Sequence, residues 1–146
     1  SKATLYRRYP DKAHLCFAIV FALEAPEAIE AMPWREALLE TTRRLAGTFE
    51  PPEAQASVPG LLSAYAADPA LERRVLIEML DPAYALIIGQ LERGRAAGDL
   101  LPDFDSQLFV DTLFGVAFVR SGVLRRALDA ETCDRVVGML LDGITR

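Results

Sequence analysis

The chain has 146 residues, 51% of them apolar, and a formal net charge of −5. This length and apolar content allow one substantial core, which excludes a fibre or a disordered tail and favours a single compact domain. The negative charge argues against a polyanion partner over the whole surface, and the single histidine excludes metal sites built on pairs of histidines.

The first predicted element is a short helix that ends before Pro10. Ser1 caps its first turn with its hydroxyl, and Pro10 cannot continue it. Asp11 then caps the start of a second helix. At about 100° per residue, Leu5 and Tyr9 stack on one face of the first helix, so its other faces are free to meet a partner.

Those other faces combine small, hydroxylated, aromatic and cationic side chains, which suit the major groove and the phosphates of DNA. Residues 1–14 contain four cations and one carboxylate, so a basic tip of +3 precedes a remainder of −8. This polarity is typical of a protein that touches DNA with one end only. We therefore predict DNA contacts from Lys2, Ala3, Thr4, Tyr6, Arg7, Arg8 and Lys12.

The same residues resemble the recognition helix of the TetR (tetracycline-repressor-like) family of bacterial transcription regulators, which commonly reads S-K-x-T-L-Y-x-x-F-x-x-K. The chain matches at Ser1, Lys2, Thr4, Leu5, Tyr6 and Lys12, with Tyr9 where Phe is usual. The resemblance implies a helix-turn-helix head that reads double-stranded operator DNA, with roughly 40 residues of that head preceding this chain. The alternative interpretation is a basic amphipathic helix whose arginines are merely solvated.

The second predicted helix runs from Asp11 to about Ala25 and is apolar nearly all round between Leu15 and Leu23, so it must be enclosed on most sides. The resemblance implies that this helix connects the head to the body. The apolar run is shorter than the about 20 residues that cross a bilayer, so we expect no membrane role. His14 and Cys16 are interpreted as packing residues, and Cys16 and Cys133 as free thiols in the cytoplasm.

Beyond this helix, apolar residues recur at helical spacing between Pro, Gly and Asp, which predicts an all-α body. Residues 51–56 are interpreted as a loop. Gly98 is expected to close a helix in the left-handed conformation, and Asp81-Pro82 to kink or divide it. The predicted helices are Pro33 to Phe49, Val58 to Ala67 and Ala70 to Ala97.

Two closing helices, Asp105 to Arg126 and Asp129 to Arg146, carry more apolar surface than one protomer can cover. Such surface predicts a partner, and a symmetric homodimer is the commonest solution. The resemblance agrees, because the family's terminal pair of helices forms a four-helix dimer interface. The predicted interface residues are Phe109, Leu113, Val116, Val136, Leu140 and Ile144.

The resemblance also implies that a small-molecule effector binds between the helices of the body. Its lining must come from inward apolar or aromatic positions, for each of which ordinary core is the alternative interpretation. The candidates are Phe17, Phe21, Trp34, Leu38, Leu62, Tyr65, Met79, Tyr84, Phe114 and Phe118.

No motif for catalysis, cofactor binding or metal ligation is present, and Glu78 with Asp81 is interpreted as a surface pair. We therefore expect no enzyme, no cofactor and no metal. The sequence predicts an all-α, TetR-like helical bundle, with residues 1–25 as the remnant of a DNA-binding head and residues 26–146 as a ligand-binding and dimerisation body. The expected function is that of a homodimeric repressor released from a palindromic operator by its effector. The alternatives are a helical dimerisation or effector-binding module without DNA-binding activity, and a small all-α enzyme.

Overall fold

The structure is a computed structural model that describes residues 27–48 and 50–145. Within these residues the chain forms helices and one isolated antiparallel bridge, between Leu100 and Thr145. The prediction of an all-α fold is thus confirmed. The predicted DNA contacts from Lys2 to Lys12 and the pocket candidates Phe17 and Phe21 lie outside the described residues.

Seven α-helices and two π-helical turns follow one another in the described residues. The first π-helical turn, Leu76–Leu80, joins α4 to α5, and the second, Phe118–Val123, continues α6. The helices are α1 (Glu27–Glu30), α2 (Trp34–Gly47), α3 (Pro52–Ala67), α4 (Pro69–Val75), α5 (Asp81–Ala96), α6 (Ser106–Ala117) and α7 (Ala130–Asp142).

Helix starts are set by short acidic side chains and by prolines. Asp68, Asp105 and Asp129 cap α4, α6 and α7, and each carboxylate accepts from first-turn backbone amides. Pro52 stands at the start of α3, where its fixed φ is already helical. Helix α3 therefore begins at Pro52 instead of the predicted Val58, and the loop expected over residues 51–56 is mostly helical.

The interruption predicted at Asp81-Pro82 is a wider turn instead of a break. The amide of Asp81 donates to the carbonyl of Leu76, five residues earlier, which is the π-helical spacing. Pro82 has no amide to donate, so a regular helix would lose a hydrogen bond at this point. The wider turn carries the chain past Pro82, and α4 runs on into α5.

Helix α5 lies at the centre of the core, with α2 and α6 packed against it and α7 packed against α2. Ile87 and Leu91 of α5, Leu38 of α2, Val110 of α6 and Val137 of α7 are each completely buried. Burying one such side chain stabilises the fold by about 1.5–3 kcal/mol. These contacts fix how the four helices cross.

One end of the α2–α5 pair, which we call the Trp34 end, is packed without spare room. The indole of Trp34 covers Gly94, where an added Cβ would lie 2.8 Å from the ring, and its Nε1 donates to Asp99 at 2.8 Å. Gly98 has a φ of +82°, and the amide of Asp99 donates to the carbonyl of Gly94 at 3.1 Å. The left-handed cap predicted at Gly98 is confirmed.

The two closing helices are shorter than predicted. The helical part of α6 ends with the π-helical turn at Val123, not at Arg126, and Arg125 has a φ of 51° that no regular helix accommodates. Helix α7 ends at Asp142 because the carbonyl of Ile144 turns to accept from the amide of Leu101. The C-terminal residues thus contact the loop after α5 instead of lengthening α7.

Candidate ligand cavity

A small apolar cavity lies between α2, α5, α6 and α7, toward the end of α2 that is remote from Trp34. Its volume is about 30 Å³, which is room for about two water molecules and far below the pockets of about 300 Å³ that hold typical ligands. Its lining includes Ala46 of α2, Ile87 of α5, Phe114 and Ala117 of α6, Leu128 of the α6–α7 connection and Cys133 of α7.

Among the described lining residues, Thr42 and Cys133 carry a side-chain heteroatom, and both atoms are already engaged within the protein. The hydroxyl of Thr42 donates to the carbonyl of Leu38 at 2.8 Å. The free thiol of Cys133 lies 3.7 Å from the carbonyl of Leu128. Burial raises the pKa of the Cys133 thiol to about 11, so the thiol is neutral at pH 7. The wall therefore offers a ligand weak acceptors and no charge from the described residues.

An ion pair joins two of the cavity walls. Arg43 follows Thr42 on α2 and Asp134 follows Cys133 on α7, and the guanidinium meets the carboxylate through two hydrogen bonds of 2.7 and 2.6 Å. This contact lowers the pKa of Asp134 below its usual value and raises that of Arg43. A bidentate pair fixes direction as well as distance, so α2 and α7 are held in register beside the cavity.

The α6 wall is irregular where it borders the cavity. Ala117, a lining residue, is the last residue before the π-helical turn Phe118–Val123. In that turn the hydroxyl of Ser121 is buried without a partner among the described groups, and the residue is 1% exposed. Arg120 donates to the carbonyl of Ala127 at 2.9 Å and so closes the connection to α7. Single π-helical turns frequently occur at functional sites.

The opposite side of α6, together with the turn that continues it, exposes apolar side chains, and we call it the outer face: Leu108, Gly115, Val119 and Val123. Leu108 is 61% exposed and Val123 is 59% exposed. A Cβ added at Gly115 would touch nothing within 4 Å of it among the described residues, so another helix can approach closely there. Apolar side chains gathered in this way indicate an interaction surface.

Among the predicted pocket residues, Phe114 lines the cavity. Tyr84 stands behind it, with its ring stacked on that of Phe114 at 5.1 Å between centroids and its hydroxyl donating to Asp111 at 2.7 Å. Leu38 is buried in the core, and Trp34 covers Gly94.

Three more of the predicted pocket residues are not part of the cavity lining: Leu62, Tyr65 and Phe118. Leu62 and Phe118 are exposed and Tyr65 is partly buried, while the side chain of Met79 is outside the described part of the structure. The small members of the lining, Ala46, Ala117 and Cys133, were not predicted. Sequence offered no signal for them, because small residues at a helix crossing have the same pattern whether they border a cavity or a filled core.

The predicted interface residues are divided between the interior of the protomer and its surface. Phe109 and Leu113 are buried in the protomer's own core. The remaining four are partly buried: Val116, Val136, Leu140 and Ile144. The exposed residues of the outer face were not singled out, although Leu108, Gly115 and Val119 recur at helical spacing and a stricter projection of α6 would have shown them.

Residues 27–48 and 50–145 bring together no three His, Cys, Asp or Glu side chains that could hold a metal ion. In that same part of the chain, no helix combines the length and the apolar character needed to cross a membrane.

In a comparison with protein families, residues 33–140 match the family described as tetracyclin repressor-like, C-terminal domain. No curated protein gives a significant match. The matched region covers α2, α5 and α6 completely and α7 as far as Leu140.

Proposed function

The chain belongs to the tetracycline repressor-like family by its match over residues 33–140, and from this premise we propose that it is a transcription repressor released from DNA by a small-molecule effector. In this proposal residues 1–25 supply the contacts to operator DNA. Residues 26–146 form the body that binds the effector and pairs with a second copy.

The observation that carries the proposal is that one helix, α6, contributes both to the wall of the cavity and to the exposed apolar surface of the body. The inner side of α6 lines the cavity through Phe114 and Ala117, and its outer face is exposed and apolar. A ligand that enlarges the cavity pushes against α6, because the Arg43–Asp134 pair holds the α2 and α7 walls together. Packed helices respond to such a push by shifting as units, so the ligand alters the way in which two protomers meet.

A second copy of this chain is the partner that the outer face favours. A symmetric dimer brings the same apolar patch from both copies together. It also sets two DNA-contacting ends about one turn of DNA apart, which matches a palindromic operator. We expect Val119→Asp, on the outer face, to convert a dimer into a monomer with unchanged helix content, as measured by sedimentation equilibrium and circular dichroism.

The matched control for this variant is Leu101→Asp, since Leu101 is 40% exposed and Val119 is 45% exposed. The control is expected to stay dimeric. A Val119→Asp protein that sediments like the wild type would contradict the proposed interface.

Binding to DNA is tested by fluorescence anisotropy of the full-length gene product on the duplex upstream of its own gene and on a random duplex. Lys12→Ala should weaken binding to both duplexes alike and lower the salt slope by about one, because a phosphate contact carries no sequence information. Arg7→Ala should mainly weaken binding to the upstream duplex, by about 1–3 kcal/mol, as expected for a contact to a base edge.

Arg73→Ala serves as the control for charge, because Arg73 is an exposed arginine of α4 in the body. Its removal should leave both affinities unchanged. Equal affinity of the wild type for the two duplexes would favour the alternative, a dimerisation or effector-binding module that does not read DNA.

A further inference from the structure

We infer that the effector is an uncharged, largely apolar molecule, and that its apolar part binds in the cavity between α2, α5, α6 and α7. That this molecule acts as an effector rests on the proposed function. Its binding to the protein is measured without DNA, so the ligand class and the regulatory role are tested separately.

The chemistry of the wall determines the class of ligand. Ala46, Ile87, Phe114 and Leu128 present hydrocarbon to the cavity. A charged group that entered would lose its water and find no opposite charge on the described part of the wall, which is strongly unfavourable. Arg43 and Asp134, which follow the lining residues Thr42 and Cys133 in sequence, already pair with each other through two short hydrogen bonds. Neither charge is therefore free for a ligand.

The heteroatoms on the wall limit the polarity that a ligand can carry. Thr42 and Cys133 direct their hydrogens to the carbonyls of Leu38 and Leu128. Each keeps lone pairs that can accept a hydrogen bond, the sulfur only weakly. One hydroxyl on the ligand can therefore be satisfied, whereas a polyol or a carboxylate cannot.

The volume limits the size of the ligand. Apolar cavities of about 150 Å³ bind benzene, whereas this cavity measures about 30 Å³. A single ring therefore requires the walls to move apart. Ala46 and Ala117 are small lining residues on facing helices, so their enlargement is the most direct way to block such movement.

The experiment uses the full chain without DNA and three probes of similar size: toluene, benzoate and benzylamine. Binding is followed by saturation-transfer NMR and by the shift in the melting temperature. Toluene is expected to bind saturably and to raise Tm. Benzoate and benzylamine are expected to bind about tenfold more weakly or worse, because neither charge finds a partner in the cavity.

The location is tested with Ala117→Val and Ala46→Val, which narrow the cavity from α6 and from α2. Both should weaken toluene binding by about tenfold. Ala85→Val on the exposed side of α5 is the matched control and should bind toluene as the wild type does. Should a valine variant fail to fold, Leu128→Ala tests the same space in the opposite direction, since it should admit naphthalene more readily than the wild type does.

The inference is overturned if either charged probe binds as tightly as toluene, or if toluene binding is unchanged in the valine variants and naphthalene binding is unchanged in Leu128→Ala. These outcomes are distinct from failure of the proposed function. A protein that binds toluene in the cavity but has no preference for its own upstream DNA retains this ligand class and loses the repressor role. A protein that reads DNA but prefers benzoate retains the role and loses this ligand class.

Discussion

The two ends of α2 are packed in opposite ways. At the Trp34 end, the indole lies so close to Gly94 that a methyl group has no room, and Asp99 fixes the ring through a hydrogen bond of 2.8 Å. Toward the other end, Ala46 borders a cavity, and the facing helix α6 widens into a π-helical turn. One end of the helix is fixed by contact, and the other retains spare volume.

Under the proposed function, this difference lets one small core be both stable and responsive. Closely packed interiors transmit displacement and resist a change of volume. A site that must grow around a ligand therefore needs spare volume and a wall with irregular hydrogen bonding, and α6 provides both beside the cavity. In that proposal, the Trp34 end is the fixed point relative to which α6 moves.

The largest expected effect comes from adding one methyl group at the fixed end. Gly94→Ala places a Cβ 2.8 Å from two ring atoms of Trp34, so the indole must leave its position. We expect the free energy of unfolding to fall by about 3 kcal/mol, as measured by urea denaturation. Fluorescence of Trp34, the chain's single tryptophan, should change in the native state as well.

Gly89→Ala, on the same helix, provides the matched control. Nothing lies within 4 Å of a Cβ at Gly89 among the described residues, so the methyl group adds helix propensity alone. The free energy of unfolding should rise by about 0.5–1 kcal/mol. If both variants lost stability to the same extent, the close contact at Gly94 would not be the cause.

Local chemistry made much of the fold predictable. The helix starts predicted at Asp105 and Asp129, the left-handed Gly98 and the disturbance at Pro82 each depend on a residue and its immediate neighbours. The start of α3 was missed because Pro51 and Pro52 suit a loop and a first helical turn equally well. The π-helical turn Phe118–Val123 has no local signal of this kind.

The candidate site was less predictable than the fold, for a physical reason. Phe114 was predicted because a large aromatic side chain at an inward position contacts most of the groups around it. Ala46, Ala117 and Cys133 were missed, because whether a small residue borders empty space depends on how helices distant in sequence cross. The Arg43–Asp134 pair likewise joins residues 91 positions apart, beyond the reach of any periodicity along one helix.

The next expected effect concerns pH at the end with spare volume. Burial raises the pKa of the Cys133 thiol to about 11, from 9.0, so the folded protein disfavours the thiolate. The stability linked to this thiol is complete below pH 9 and is lost as the pH rises through 11. The wild type should therefore lose about 2 kcal/mol by pH 10.5 relative to a variant without the thiol.

Cys133→Val is that variant, and the measurement is urea denaturation of both proteins at pH 7.5, 9 and 10.5. The two curves of unfolding free energy against pH should separate above pH 9, with the wild type falling faster. Curves that stay parallel would mean that the thiol is solvated, and that the α7 wall is looser than the structure indicates.

The smallest expected effect tests the irregular wall itself. Ser121, in the π-helical turn of α6, buries a hydroxyl that has no partner among the described groups, and such a group costs about 1–3 kcal/mol in lost hydration. Ser121→Ala should raise the free energy of unfolding by about 1 kcal/mol.

Ser106→Ala, at the start of the same helix, removes a hydroxyl that donates to Glu92 at 3.0 Å and accepts from Arg95 at 3.1 Å, so it should lower that free energy by about 1 kcal/mol. Changes of opposite sign in the free energy of unfolding would show that the hydroxyl at the start of α6 is hydrogen-bonded and that the one in the π-helical turn is not. Equal losses would mean that Ser121 has a hydrogen-bond partner and that the two hydroxyls are equally well satisfied.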